Sequence, residues 1–287
     1  MVVGLWLLLC LLTVGCGEQM ELDEGNAVYY WRTDLRLDST ERAFLRAYNI
    51  NKVYCRYFDV VMDDSGEPMP NATITFSDTL PAGVEMIPTV YITIDCLQKP
   101  HEGLAEKLVK RIWQMNETND ISGVREIQID HDYTARNMKV YYDFLREVRE
   151  AWRECGGRTL STTIRLHQLS MEAPPVDYGA LMIYNTGDPQ KFTERNPILD
   201  KRDVAPYLRY LDDYPLPLAA AYPVFSWLRI ISGVEITHTV EAEEILQVKH
   251  MVEQERKGLG RSVITYHLDK ENINRYKSET YEEIYHH

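Results

Sequence analysis

Gln128, Asp130 and Asp132 are spaced two apart in the run Arg125-Glu126-Ile127-Gln128-Ile129-Asp130-His131-Asp132-Tyr133. In an extended segment successive side chains point to opposite faces, so these three share one side while Ile127, Ile129 and His131 share the other. Two carboxylates placed this way in a strand cost stability unless they are solvated, hydrogen-bonded or put to use. The expectation is that they are used.

The elements that must hold such a pair can be read from hydrophobic periodicity. Apolar runs predict strands near 27–31, 52–58, 87–95, 125–132, 159–167, 180–184, 218–225 and 262–267. Helical spacing predicts helices at 39–48, capped by Ser39 or Thr40, and at 103–115, 135–155, 203–212 and 240–257, with a weakly helical tail from 272. The Gly/Pro/Asp-rich residues 63–70 read as a surface loop. Strands alternating with helices imply parallel pairing through right-handed crossovers. Eight such units in this length predict a single-domain α/β fold, a (β/α)8 TIM barrel over residues 27–287. An open doubly wound sheet is the alternative, although no Gly-rich first turn supports dinucleotide binding.

Barrels place their chemistry where the strands end. Two-residue alternation aims Tyr91, Thr93 and Asp95 inward from strand three, and Ser161, Thr163, Arg165 and His167 from strand five. Strand six contributes Tyr184, with Asn185 at the rim. Trp31 comes from strand one, Arg56 from strand two, Tyr222 and Trp227 from strand seven, and Tyr266, His267 and Asp269 from strand eight. Gln128, Asn185, Trp31, Arg56, Asp95, Arg165, His167, Tyr222, Trp227 and His267 are therefore candidate substrate-binding residues, while Asp132, Asp130 and Tyr184 are candidate catalytic ones. Arg165 has a second role open to it, neutralising the carboxylate pair.

The 287 residues are 45% hydrophobic and 26% charged, proportions of a folded globular chain. The net charge of −13, with no Lys/Arg-rich run, would repel nucleic acid. The 19 Tyr and 5 Trp supply rings able to stack on sugars. No cofactor is expected. Metal-assisted hydrolysis by Asp95, Asp130, Asp132 and His167 or His267 is a remaining alternative, but no H-x-x-E or H-x-H spacing supports it.

Residues 1–16 form an apolar run ending in Leu12-Thr13-Val14-Gly15-Cys16. Its length suits a signal peptide, and its ending resembles a bacterial lipobox, which implies lipidation of Cys16, a tether over 17–26 and anchoring at a bacterial membrane in the cell envelope. Cys55, Cys96 and Cys155 then remain, an odd count that is no disulfide framework; free thiols are expected, and a Cys55–Cys96 bridge is the alternative.

The run from Ile127 to Tyr133 resembles the fourth-strand D-x-D-x-E signature of family-18 chitinases and their relatives. Aligned on the aromatic residue, Asp132 takes the acid position, Asp130 the neighbouring carboxylate and Gln128 the first Asp. Leu181-Met182-Ile183-Tyr184-Asn185 is similar to the sixth-strand M-x-Y-D of the same superfamily, matching Tyr184 to its tyrosine and Asn185 to its Asp. These stretches, with Ser161-Thr162-Thr163-Ile164 and Val176-Asp177-Tyr178, also resemble a bacterial family defined by the domain of unknown function 3142. The resemblance implies a TIM barrel that acts on an oligosaccharide or polysaccharide as a glycoside hydrolase, or a carbohydrate-binding relative without catalysis. The departures are Asp132 where the signature has Glu and Gln128 where it has Asp.

Overall fold

In the computed structural model the described residues are 25–188, 194–231 and 234–286. Eight parallel strands carry the architecture: β1 (Gly25–Tyr30), β2 (Ile50–Met62), β3 (Glu85–Ile92), β4 (Glu126–His131), β5 (Thr159–Arg165), β6 (Tyr178–Met182), β7 (Leu218–Pro223) and β8 (Ser262–Tyr266). They pair in chain order, and β1 pairs with both β2 and β8, so the sheet closes on itself. The result is the (β/α)8 barrel, in one domain, that the strand–helix alternation predicts.

The helices are α1 (Ser39–Ala47), α2 (Leu104–Thr118), α3 (Met138–Glu154), α4 (Lys201–Leu208), α5 (Ala242–Glu255), α6 (Lys270–Ile273) and α7 (Ser278–Tyr285). In α3 the buried residues Tyr141, Phe144, Leu145, Val148, Ala151 and Trp152 recur at three- and four-residue intervals, which puts one apolar stripe against the barrel. They join Ile127, Ile129, Leu160 and Ile164 in one core. Each such fully buried aliphatic side chain stabilises the fold by roughly 1.5–3 kcal/mol. Beyond α3 the chain turns through Gly156, at φ 84°, and a Cβ on Gly157 would sit 2.1 Å from the Trp152 ring, so the strand–helix approach here requires glycine.

Three local expectations need correction. The cap of α1 is Asp38 instead of Ser39 or Thr40: its Oδ1 accepts from the Thr40 and Glu41 amides at 2.8 Å, while Glu41 Oε2 accepts from the Asp38 amide at 2.8 Å. Residues 63–70 are the turn and returning arm of a hairpin, because β2 runs for 13 residues and its end pairs antiparallel with Pro68–Asn71. The crossovers are also uneven. No helix separates β2 from β3, and a 3₁₀ turn, Leu166–Ser170, is the only helical element between β5 and β6.

Cys55 and Cys96 are buried, Cys155 is half-buried, and all three are free thiols; the Cys55–Cys96 bridge is not formed. Cys16 and most of the expected tether lie outside the described residues.

Candidate active site

The inward face of β4 forms a ladder of polar side chains, each met by a partner on β5. Lowest is Glu126, which accepts from Ser161 Oγ at 2.7 Å and from the Tyr178 hydroxyl. Next is Gln128, whose Oε1 accepts from the Tyr29 hydroxyl at 2.8 Å and whose Nε2 donates to Ser161 Oγ at 3.4 Å. Above it, Asp130 accepts from Thr163 Oγ1 at 2.6 Å and from Arg165 Nη2 at 3.1 Å. At the rim Asp132 is bound by Arg165 Nε. The opposite face behaves as alternation requires: Ile127 and Ile129 are buried, and His131 is held between the Ile92 carbonyl, 2.9 Å from Nδ1, and Asn137 Nδ2, 3.0 Å from Nε2.

Asp130 and Asp132 open onto a cavity of about 550 Å³ at the C-terminal ends of the strands. Trp31, Arg56, Arg165, Tyr184, Asn185, Trp227 and His267 reach the same space. The wall is an arc of aromatic rings. Trp31 and Tyr266 lie 5.7 Å apart between centroids, Tyr266 and Tyr184 5.1 Å, Tyr266 and Phe225 5.4 Å, and Phe225 and Trp227 5.8 Å. Trp227 stands on the hairpin of Ser226–Ile231 and Val234–Thr239 instead of on β7 itself. The size and the mix of apolar wall with a few converging polar groups are those of a small-ligand site.

Burial pushes the Asp130 carboxyl above the usual carboxylate range, Arg165 pulls it back, and Asp132 adds to the rise. Burial works against the Arg165 cation, yet Asp130 and Asp132 together hold it more firmly protonated than a free arginine. Burial also raises the Tyr184 hydroxyl far above its ordinary value; that hydroxyl sits 2.7 Å from Met182 Sδ. On β2, Arg56 Nε donates to Asp59 Oδ1 at 2.7 Å, and the guanidinium carbon lies 5.8 Å from the Trp31 ring centroid.

Four expected members are not at the mouth. Gln128 is fully buried one layer below, where it ties Tyr29 to Ser161. Tyr222 is fully buried, and its hydroxyl has no hydrogen-bond partner. Asp95 and His167 are exposed on 3₁₀ turns that begin at Ile94 and Leu166, past the ends of β3 and β5, where strand alternation no longer applies. Among the described residues no group of three or more His, Cys, Asp or Glu side chains is arranged to hold a metal ion; of the donors weighed for metal-assisted hydrolysis, Asp130, Asp132 and His267 reach the cavity and Asp95 and His167 do not. Asp59 and Phe225 line the cavity without having been expected there. For Asp59 the signal was hidden by a register shift between Arg56 and Phe58, which lets two residues three apart face the same way.

A larger cavity, about 830 Å³, lies at the opposite end of the barrel, lined by Lys52, Glu85, Met86 and Arg125 at the starts of β2, β3 and β4. Its two cations are paired: Arg125 with Glu85 at 3.8 Å and Lys52 with Glu126 at 3.8 Å. The C-terminal mouth, where carboxylates, cations and aromatics converge, is the chemically equipped end.

No protein-family model matches the chain, and no curated protein does. Solved structures do. A chitinase from Bacteroides thetaiotaomicron is similar with a TM-score of 0.59 at 13% identity, over 92% of this chain and 98% of that one. The spore cortex-lytic enzyme SleL of Bacillus cereus gives 0.52 at 17% identity, over 85% and 70%. The xylanase and alpha-amylase inhibitor protein XAIP-II of Scadoxus multiflorus gives 0.55 at 9% identity, over 91% and 97%. At these identities the likeness is one of fold: the chain shares a TIM barrel with these proteins.

Proposed function

We propose that the protein is a glycoside hydrolase that binds an oligosaccharide or polysaccharide in the C-terminal mouth. The observation that carries this reading is the convergence of Asp130, Asp132 and Tyr184 on one cavity walled by Trp31, Tyr266 and Trp227. The fold of the chitinase and of SleL agrees with it, as does the resemblance of the β4 and β6 motifs to family-18 enzymes. Sugar rings stack on the aromatic wall through their apolar faces. Asp132, the more exposed of the two carboxylates, exchanges a proton with the glycosidic oxygen, and Asp130 beneath it sets the local field. The Tyr184 hydroxyl, its proton directed at Met182 Sδ, turns its oxygen toward the positive charge that develops at the reacting sugar.

A second reading, saccharide binding without turnover, is favoured by one observation. Arg165 already occupies Asp132, so the acid must leave this ion pair before it can protonate anything. XAIP-II, an inhibitor protein, has the same kind of barrel. Binding and turnover measured on a glycan panel with wild type and Asp132→Asn separate the two. The hydrolase reading expects Asp132→Asn to bind within a few-fold of wild type while kcat/KM falls by about 10²-fold or more. Equal turnover in both proteins removes Asp132 from the mechanism, and binding with no wild-type turnover selects the second reading. We further propose that a lipid on Cys16 holds the domain at a bacterial membrane.

A further inference from the structure

The segment after β8 carries a second pair of proton-handling groups, separate from the carboxylates of β4. Its backbone is pinned from three sides. The Val224 amide donates to the Tyr266 carbonyl at 2.9 Å, the Leu268 amide to the Tyr29 carbonyl at 2.8 Å, and Asn272 Nδ2 to the His267 carbonyl at 3.1 Å. The His267 ring stands nearly perpendicular to Tyr266, at 76° and 5.1 Å between centroids. Its Nδ1 is buried and lies 3.4 Å from Asp269 Oδ2. Asp269 is fixed in turn: Oδ1 accepts from the Asn272 amide at 2.8 Å and Oδ2 from Asn272 Nδ2 at 2.7 Å. The two make no hydrogen bond at this separation, but the negative charge beside Nδ1 favours the tautomer with its proton there and leaves a lone pair on Nε2. His267 lines the cavity with 22% of its side chain exposed, and no protein partner of Nε2 is present among the described residues.

We propose, resting on the carbohydrate reading above, that His267 Nε2 accepts a hydrogen bond from a hydroxyl of a neutral saccharide. Asp269 is its positioning residue, and this edge of the mouth disfavours anionic substituents. The charges around the imidazole are Asp269 and Glu271 on its own segment, Arg275 beyond α6, Arg32 after β1 and the Arg165 cluster across the cavity. Arg32 is neutralised by Glu41 at 2.7 Å and Arg275 Nη2 donates to Ser226 Oγ at 2.9 Å, so the two carboxylates of the His267 segment, Asp269 and Glu271, outnumber the cation Arg275 beside them. Burial holds the imidazole below its ordinary pKa, opposed by Asp269 and aided by Arg32, so near neutral pH the ring is uncharged and able to accept.

Calorimetric titration of the full chain with chito-, cello-, xylo- and maltotetraose, and with a tetra-uronate of equal length, tests this between pH 5 and 7.5. For the tightest neutral binder, wild-type affinity is expected to fall, by up to about tenfold, as pH is lowered and the imidazole takes a proton and can no longer accept. His267→Gln keeps an acceptor near the Nε2 position, so it stays within about threefold of wild type at pH 7.5 and loses the pH dependence. His267→Phe binds about tenfold more weakly at pH 7.5, with a flat profile. Asp269→Asn retains a capping oxygen for α6 but moves the midpoint of the profile to lower pH. If His267→Phe binds as tightly as wild type, if His267→Gln keeps the wild-type profile, or if the tetra-uronate binds wild type as well as the neutral sugars do, the inference is overturned while the carbohydrate reading stands. If His267→Phe fails to fold, the His267→Gln profile decides alone. No binding of any probe to wild type overturns both.

Discussion

Arg165 Nη2 lies 3.1 Å from Oδ1 of Asp130, a carboxylate that is almost wholly buried and whose other close donor is Thr163. The same guanidinium also binds Asp132, so one cation satisfies two acids that would otherwise repel across the mouth. Removing it leaves a buried charge without compensation, which costs more than the pair contributes when intact. Arg165→Met is therefore expected to lower stability by about 3 kcal/mol in urea unfolding. Adding Asp130→Asn to it should restore part of that loss.

Glu126 sits at the base of the ladder, fully enclosed, where burial raises its carboxyl above the usual range against the opposing pull of Lys52. With the folded pKa above the unfolded one, the folded state holds the proton more tightly. Its contribution is complete below the unfolded value and is lost as pH rises through the folded value. Glu126→Gln keeps the oxygen that Ser161 and Tyr178 address. Thermal melts should show the variant gaining on wild type as pH rises from about 4 to 7, with the difference vanishing below about pH 4.

Tyr222 separates packing from function. Its hydroxyl is enclosed without a partner, a polar group buried at a cost. Tyr222→Phe should raise stability by up to about 1 kcal/mol in chemical denaturation and leave glycan affinity untouched.

The reverse pattern belongs to Trp31. It lies partly exposed at the mouth between Arg56 and Tyr266, so Trp31→Ala should weaken glycan binding about tenfold in titration. Its melting temperature should shift by a few degrees at most, since the ring is not part of the enclosed core.

For the proposed membrane tether the test is chemical. Cys16→Ser should abolish incorporation of an alkyne-labelled fatty acid in a bacterial host and move the protein from the membrane to the soluble fraction on centrifugation.

The barrel was readable from the chain because its strands and helices keep strict periods: two in β4 and β5, three to four in α3. Parity alone paired Asp130 and Asp132 with Arg165 on the correct face. It failed wherever the period broke. Asp95 and His167 lie past the strand ends, where 3₁₀ turns carry the side chains away. Asp59 follows a register shift that reverses parity along β2. Parity also cannot tell how deep along the axis a side chain sits, so Gln128, on the right face, lies one layer below the cavity. Tyr222 failed differently: its core packing depends on neighbours from distant parts of the chain.

The long β2 has one more consequence. Closure removes free edges from the barrel itself, but the end of β2 extends into a hairpin whose outer arm, Pro68–Asn71, offers a strand edge to other molecules. Pro68 and Pro70 stand in that arm opposite Met62 and Val60, and neither carries an amide hydrogen. An incoming strand would find two donors missing from a four-residue edge, so the arm is a poor template for intermolecular β-pairing.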